Sequence, residues 1–264
     1  MRNLLRRSFS GIVYVFIFVS AILFSEESFN VLTSIFAVIC IWEFSRLIKL
    51  KNYLQYIIFG VLLFLLIKYK ASPAVMVLLG LTILSSLQLI YKLFWEVEIK
   101  LNKDIAKLFL STRYVIASLS FLILIPFVNG AYTPKILIGI LLLIWTNDSF
   151  AFLVGKNIGR RKLFASVSPK KTIEGFIGGL FFALIVGYLV GLQTQLFSTI
   201  DWLIIAAIIS IVGTIGDLVE SKFKRQAKIK DSGNIMPGHG GLLDRLDSLL
   251  FAAPFVYLYI HHLI

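Results

Sequence analysis

Long unbroken apolar runs are the feature that most constrains how this chain can fold. A membrane-spanning helix needs roughly 20 apolar residues to cross about 30 Å of hydrocarbon, and runs of about this length recur along the whole sequence. Only helices and closed barrels can span lipid, and a barrel would show alternating segments of roughly ten residues instead. The sequence therefore predicts an all-α, polytopic integral membrane protein with about nine transmembrane helices. The predicted spans cover residues 9–25, 31–48, 53–67, 73–94, 113–129, 136–154, 173–194, 201–220 and 242–260.

Composition supports the same class of protein. Hydrophobic residues make up 58% of the chain and charged residues 15%, against about 45–50% and 25% in soluble domains. These values exclude a disordered chain and most soluble globular domains. The single cysteine, Cys40, excludes a disulfide framework and a cysteine-rich metal site.

Basic residues are distributed unevenly between the predicted connecting segments. With the amino terminus in the cytoplasm, 21 of the 26 Lys and Arg residues lie in inside segments and 3 in outside segments. Cytoplasmic loops of membrane proteins carry this excess of positive charge. We therefore expect a cytoplasmic amino terminus in the plasma or inner membrane, with the active site facing the cytoplasm. The same asymmetry accounts for most of the net charge of +12 without a nucleic-acid partner.

Acidic residues in or near the predicted spans concentrate in the second half of the chain. They are Glu43, Asp148, Glu174, Asp217, Glu220, Asp244 and Asp247. A carboxylate near the bilayer centre costs about 2.5–3.5 kcal/mol, so such residues are candidates for function; the alternative is that they cap helices or pair with nearby Lys and Arg. We therefore expect an N-terminal transmembrane scaffold, residues 1–135, and a C-terminal transmembrane catalytic region, residues 136–264. The catalytic region contains the predicted cytoplasmic loops 155–172 and 221–241.

The acids between 217 and 247 flank a glycine-rich loop. Helical spacing predicts a shared face for Asp217, Glu220, Ser221 and Lys224, and another for Asp244 and Asp247. Between them, bare backbone N–H groups near Gly240 and Gly241 can approach an anion. Carboxylates suit Mg²⁺, which binds one or two of them plus substrate phosphates, and Lys and Arg suit phosphate oxygens. This pattern predicts metal-assisted phosphate chemistry at the membrane surface. The alternative, a basic loop that binds anionic lipid, explains the lysines but not the acids.

A second cluster runs from Asp148 through a basic turn to Glu174. Ser168-Pro169 is predicted to break the chain before a helix that opens with Thr172 and Glu174. Basic residues before a helix amino terminus can cradle a triphosphate. A P-loop pattern is absent, and an ordinary positively charged cytoplasmic loop is the alternative.

The stretch from Ser221 to Asp247 resembles the signature of the phosphatidate cytidylyltransferases, also called CDP-diacylglycerol synthases. The matching positions are Ser221, Lys224-Arg225, Lys230-Asp231, His239-Gly240-Gly241, Asp244-Arg245 and Asp247. The upstream run from Asp148 to Gly175 also looks like this family, and Trp42-Glu43-Phe44 does so more weakly. The resemblance covers about residues 145–248.

The resemblance implies an enzyme that joins CTP and phosphatidate into CDP-diacylglycerol and pyrophosphate, with Mg²⁺ and with K⁺ as a second cation. By the same resemblance, Asp217 and Asp244 are the leading metal ligands. Asp148, Glu220, Asp231 and Asp247 are implied as supports or additional ligands. The residues implied to contact the phosphates or CTP are Ser168, Lys171, Thr172, Ser221, Lys224, Arg225, Lys230, His239, Gly240, Gly241 and Arg245. The division of roles stays open, and His239 has a loop-structuring role as its alternative.

Other functions are compatible with parts of this pattern. A CTP-dependent polyprenol or phytol kinase would transfer the γ-phosphoryl group and release CDP. An ion-coupled transporter would use intramembrane carboxylates as its ion path, but it predicts broken helices in both halves of the chain. The complete signature favours the cytidylyltransferase, for which membrane lipid and, by analogy, a second copy of the chain are the expected partners.

Overall fold

The computed structural model describes residues 2–69 and 72–264, which are predominantly helical. The helices are α1 (Arg2–Phe24), α2 (Glu26–Leu47), α3 (Leu54–Lys68), α4 (Pro73–Trp95), α5 (Asp104–Ser111), a π-helical segment (Thr112–Ile116), α6 (Ala117–Leu124), α7 (Pro134–Ile158), α8 (Ile173–Thr194), α9 (Thr199–Gln226) and α10 (Leu243–His262). The strands are β1 (Phe127–Val128), β2 (Ala131–Tyr132), β3 (Lys162–Phe164) and β4 (Ser168–Thr172).

Every predicted span overlaps a helix, and α8 begins and ends where the sequence predicts. The fifth prediction, 113–129, is displaced, because its helical segment runs from Asp104 to Leu124. The chain then enters the hairpin β1–β2. Asn129 and Gly130 lie between its strands with φ of 53° and 78°, the positive values that a two-residue hairpin turn favours.

Among the described residues, six helical segments are long and apolar enough to cross a membrane. They are Glu26–Leu47, Pro73–Trp95, Asp104–Leu124, Pro134–Ile158, Ile173–Thr194 and Thr199–Gln226. The chain is therefore a multi-pass membrane protein by helix length and hydropathy. The predicted count of nine spans and the cytoplasmic amino terminus stay predictions.

The chain divides into two compact units. The first unit contains the residues up to Leu124 together with Phe223–Asp247. An aromatic cluster in its core explains why the end of α9 belongs to it: the Phe44 ring lies 5.1 Å from the Tyr114 ring and 5.4 Å from the Phe223 ring. These contacts hold the end of α9 against α2 and the π-helical segment.

The second unit contains Ile125–Lys222 and Ser248–Ile264. Small residues let α7 and α8 approach closely. A Cβ atom at Gly179 would lie 2.7 Å from the Asn147 carbonyl oxygen, and one at Gly175 would lie 2.6 Å from the Ala151 carbonyl oxygen. Replacement of either glycine by a larger residue would therefore separate the two helices.

The predicted loop 155–172 is in part regular structure, which adds a second short two-stranded hairpin to an otherwise helical fold. Helix α7 continues to Ile158, and strands β3 and β4 pair antiparallel, with Lys162 opposite Thr172 and Phe164 opposite Ser168. Ser168 therefore lies in a strand, not at a chain break. Likewise, the predicted loop 221–241 begins later, because α9 continues to Gln226.

Candidate functional site

Asp244, in the first turn of α10, is a heavily hydrogen-bonded acid of the first unit. Its Oδ1 is 2.7 Å from the Lys224 ammonium nitrogen, and the two side chains are only 5% and 9% exposed. Its Oδ2 accepts hydrogen bonds from the Ser232 N–H at 2.8 Å, the Ser232 hydroxyl at 3.0 Å and the Gly241 N–H at 2.8 Å. Asp244 therefore ties the end of α9 and the glycine-rich loop to the start of α10.

In the glycine-rich loop before α10, the missing side chain of a glycine makes space for neighbouring aspartates. Gly240 has φ +91°, and a Cβ atom there would lie 2.7 Å from Asp244 Oδ2 and 3.1 Å from Asp231 Cβ. The Gly241 N–H donates to Asp244. The predicted contact of this loop with a phosphate stays a prediction.

His239 contacts the first helix. Its Nδ1 lies 2.7 Å from the Ser10 hydroxyl oxygen, and the Ser10 hydroxyl is also 3.0 Å from the Pro237 carbonyl. Arg245 donates from Nη2 to the His239 carbonyl oxygen at 3.1 Å. These bonds fit the loop-structuring alternative for His239, because they connect the loop to α1 and α10.

The remaining signature residues of the first unit differ in exposure. Arg225 is exposed and donates from Nη1 to the Ile229 carbonyl at 3.2 Å. Lys230 and Asp231 are exposed, and Asp247 is buried. The exposed basic residues are accessible to a soluble anion.

Asp217, on α9, is the central acid of the second unit. Its Oδ2 lies 2.5 Å from the Lys171 ammonium nitrogen, and its Oδ1 accepts a hydrogen bond from the Ser221 hydroxyl at 3.2 Å. The Lys171 and Asp217 side chains are 30% and 28% exposed. Lys171 and Asp217 therefore form an ion pair that solvent reaches, which is the alternative of pairing with a nearby lysine; the predicted metal and phosphate roles of the two residues stay predictions.

The other acids predicted for this unit have different surroundings. Glu220 is fully buried on α9. Asp148 is exposed on α7, and its Oδ1 accepts from the Asn147 amide at 3.3 Å. Glu174, in the first turn of α8, accepts from the backbone N–H groups of Arg160 and Arg161 at 3.0 Å and 3.2 Å.

Thr172 organises the chain before α8. It is the N-cap residue, and its hydroxyl oxygen accepts from the Gly175 N–H at 3.1 Å. A Cβ atom at Gly155 would lie 2.9 Å from the same hydroxyl oxygen. The predicted helix start is confirmed, and the strand that leads to it presents Lys171 to Asp217.

In the first unit, sequence reasoning missed Ser232 and the contacts that Glu43 makes. Ser232 bonds to Asp244, and Glu43, on α2, accepts from the Leu242 and Leu243 N–H groups. Glu43 was named as an acid near a span and, more weakly, by the family resemblance of Trp42-Glu43-Phe44, but neither signal indicated these bonds; Ser232 carried no signal.

The donor set can be compared with what a metal needs. Within residues 2–69 and 72–264, no group of three or more His, Cys, Asp or Glu residues could hold a metal ion by itself. Mg²⁺ usually takes one or two carboxylates and completes its shell with water and substrate phosphates. Asp217 and Asp244 each offer carboxylate oxygens of this type, and in the structure each is held in an ion pair with a lysine.

The apolar helices and the lysine–carboxylate pairs define a multi-pass membrane protein with charged clusters. Comparison with known proteins identifies its family: the sequence profile of the cytidylyltransferase family matches residues 5–263. The chain therefore belongs to the cytidylyltransferase family.

Relatives align with the chain over 115 residues. The phosphatidate cytidylyltransferase of Bacillus subtilis (strain 168) is 52% identical over that length, which is 43% of this chain and 43% of the relative. The proteins of the same name from Staphylococcus aureus (strain COL) and Staphylococcus haemolyticus (strain JCSC1435) are 51% and 50% identical, over 43% of this chain and 44% of each relative. The aligned segment thus spans less than half of each relative's length.

Proposed function

We propose that the chain is a phosphatidate cytidylyltransferase that joins CTP and phosphatidate into CDP-diacylglycerol and pyrophosphate. The observation that carries the proposal is the family match over residues 5–263, together with the name that the aligned relatives share. The lysine–carboxylate pairs support the same chemistry, because the reaction brings two polyanions together.

The proposed reaction depends more on neutralising the negative charge of the two phosphate substrates than on acid–base catalysis. A phosphate oxygen of phosphatidate attacks the α-phosphorus of CTP, the bond from that phosphorus to the bridging α–β oxygen breaks, and pyrophosphate leaves. The nucleophile is already an anion, so no strong base is needed. Catalysis then depends on positioning and on cations that stabilise the developing charge.

Lysines and arginines have the binding role in this proposal. Lys171 and Lys224 each hold a carboxylate by an ion pair, and an ammonium group binds a phosphate oxygen by the same attraction. Arg225 and Lys230 are exposed and meet the phosphates of incoming CTP. Arg245 and the hydroxyls of Ser221, Thr172 and Ser168 complete the proposed phosphate and CTP contacts.

Asp217 and Asp244 are the proposed ligands of Mg²⁺, with Asp148, Glu220, Asp231 and Asp247 as supporting acids. Bound Mg²⁺ supplies positive charge that neutralises phosphate oxygens. K⁺ is the proposed second cation. This chain's own part is to hold the carboxylates in fixed directions, which the bonds from Ser221, Ser232 and Gly241 do.

Two labels distinguish the proposed reaction from lipid phosphorylation. Purified protein in detergent is incubated with phosphatidate, Mg²⁺ and CTP that carries ³²P at the α or at the γ position. A cytidylyltransferase transfers the α label to lipid and releases the γ label in pyrophosphate, whereas a CTP-dependent kinase, supplied with a polyprenol or phytol, transfers the γ label. Failure to label phosphatidate from α-labelled CTP contradicts the proposal.

The same assay tests the two acids. We expect Asp217→Asn and Asp244→Asn to abolish turnover, while Asp104→Asn, whose carboxylate is 73% exposed on α5, keeps normal rates. Asp217→Asn is the deciding variant. Asp244 also holds the glycine-rich loop, so Asp244→Asn can reduce turnover by disturbing the fold. Near-normal turnover of a folded Asp217→Asn protein contradicts its role as a metal ligand.

Orientation and assembly complete the proposal. The amino terminus and the signature loop face the cytoplasm of the plasma or inner membrane, and the protein is a homodimer. Lys230 and Lys135 are exposed, and the natural Cys40 is buried, so Lys230→Cys and Lys135→Cys proteins suit labelling of intact cells with an impermeant maleimide. Labelling of Lys135→Cys without Lys230→Cys supports the orientation, and light scattering of the detergent complex tests the dimer.

A further inference from the structure

Glu43 is an acid with no exposed surface in the first unit. A buried carboxylate is expensive unless it is well hydrogen bonded, and Glu43 has three donors. Its Oε2 accepts from the Leu243 N–H at 2.8 Å and from the Ser232 hydroxyl at 3.3 Å. Its Oε1 accepts from the Leu242 N–H at 3.2 Å. All three donors lie about 190–200 positions further along the chain.

These bonds cap α10 from another helix. The first N–H groups of a helix have no partner within the helix, and negative charge is stabilised at that end by the helix dipole. Leu242 and Leu243 lie at the start of α10 (Leu243–His262). Glu43 therefore fixes the position of the turn that carries Asp244.

Ser232 connects the two acids. Its hydroxyl oxygen lies 3.3 Å from Glu43 Oε2 and 3.0 Å from Asp244 Oδ2, so the two carboxylates share its single proton, and its N–H donates to Asp244. Glu43 and Asp244 thus hold one loop between them, and a shift of either carboxylate moves the donors of the other.

Two glycines give independent evidence that the structure keeps space for this carboxylate. A Cβ atom at Gly241 would lie 2.5 Å from Glu43 Oε1 and 2.6 Å from Oε2. A Cβ atom at Gly233 would lie 2.9 Å from Glu43 Cδ. The loop can close on Glu43 only where both positions lack a side chain.

We propose that Glu43 is a positioning residue that sets the direction of Asp244 through Ser232 and the start of α10. The inference rests on the proposed function, because it concerns an acid assigned to that reaction. Glu43 itself does not contact substrate in this proposal; it acts through the loop.

Hydrogen exchange tests the contact without any reliance on activity. Glu43→Gln keeps the shape but replaces one acceptor oxygen by an amide group, which leaves a buried N–H donor without its acceptor. We expect the amides of Leu242 and Leu243 to exchange about tenfold faster or more. The matched control is Gln55→Ala, because Gln55 is also buried in this unit, at 2% exposed, and accepts hydrogen bonds from Ser45 and Ser111. In this control the Leu242 and Leu243 amides should exchange at their normal rates. Unchanged exchange in Glu43→Gln overturns the proposal.

Kinetics then test positioning. We expect kcat at saturating CTP and phosphatidate to fall roughly tenfold to a hundredfold in Glu43→Gln, because small misplacements of reacting groups have effects of this size. The KM for CTP should stay near its normal value, and Gly241→Ala, which keeps the Glu43 residue but crowds its carboxylate oxygens, should reproduce the loss of kcat. Faster exchange with a normal kcat overturns the positioning role. If the unaltered protein makes no CDP-diacylglycerol, the proposed function has failed, and the exchange result alone decides whether Glu43 holds the loop.

Discussion

The buried ion pair between Lys224 and Asp244 predicts a large loss of stability in Lys224→Met. The pair is 2.7 Å long, and its side chains are 9% and 5% exposed. Removal of one partner from a buried pair costs about 3–5 kcal/mol, because the other charge stays buried without compensation. Three hydrogen bonds to Oδ2 still stabilise Asp244, so we expect the lower end of that range, about 3 kcal/mol.

Thermal unfolding in detergent measures the effect. A change of 1 kcal/mol shifts the melting temperature by about 2–4 °C in chains of this size, so Lys224→Met should lower it by roughly 10 °C. The matched control is Lys107→Met, which removes a 3.0 Å ion pair to Asp104, a residue 73% exposed. Exposed pairs contribute only about 0–1 kcal/mol, so the control should shift by about 3 °C or less.

A double-mutant cycle identifies the source of the effect. If the ion pair causes it, Lys224→Met combined with Asp244→Asn should destabilise less than the sum of the single changes, because residues in contact couple. The reasoning is refuted if Lys224→Met lowers the melting temperature no more than Lys107→Met does. It is also refuted if the double variant is destabilised by the full sum of the two single changes.

Two further predictions concern the start of α8. Thr172→Ala removes the hydroxyl that caps Gly175 at 3.1 Å and should lower the free energy of unfolding by about 1 kcal/mol; an unchanged melting temperature would contradict the capping role. Gly159→Ala would bring a Cβ atom 2.6 Å from the Thr172 hydroxyl oxygen and into the Gly155 carbonyl, and such overpacking costs about 1–3 kcal/mol. Its matched control is Gly60→Ala, which meets nothing within 4 Å and should be neutral or stabilising by up to about 1 kcal/mol; equal melting temperatures for the two glycine variants would refute the close contact.

The helices were predictable because the length of an apolar run is a local property. The runs that became α4 and α7 begin at clear signals, because Pro73 and Pro134 lie in the first turns of these helices. The fifth span was misplaced because α5 begins at Asp104 with a charged, amphipathic turn, which hydropathy alone assigns to a loop.

The hairpin β3–β4 was missed for a different reason. Its strands are short and mostly polar, so they lack the alternation that indicates a strand. They pair because the residues before β3 and after β4 are bonded to each other: Glu174 accepts from the Arg160 N–H, and Ile173 donates to the Arg161 carbonyl. Contacts of this kind depend on the folded ends, and local pattern cannot show them.

The site was predictable in its residues but not in its connections. Local spacing indicated that lysines and acids share a region, and the pairs Lys171–Asp217 and Lys224–Asp244 are formed. The contacts of Glu43 could not be predicted from the sequence, because no spacing rule connects α2 to a loop about 190 residues later.

Glu43 also changes the physical explanation of the glycines in the signature loop. Sequence reasoning assigned Gly240 and Gly241 to an anion site, since bare backbone can approach a phosphate. In the structure, a side chain at Gly241 would collide with Glu43, and one at Gly240 would lie 2.7 Å from Asp244. The chain's own carboxylates thus give a sufficient reason for glycine at both positions. It follows that a glycine variant whose activity is lost should be tested first for a displaced Asp244, by the exchange of the Leu242 and Leu243 amides, before the loss is attributed to a phosphate contact.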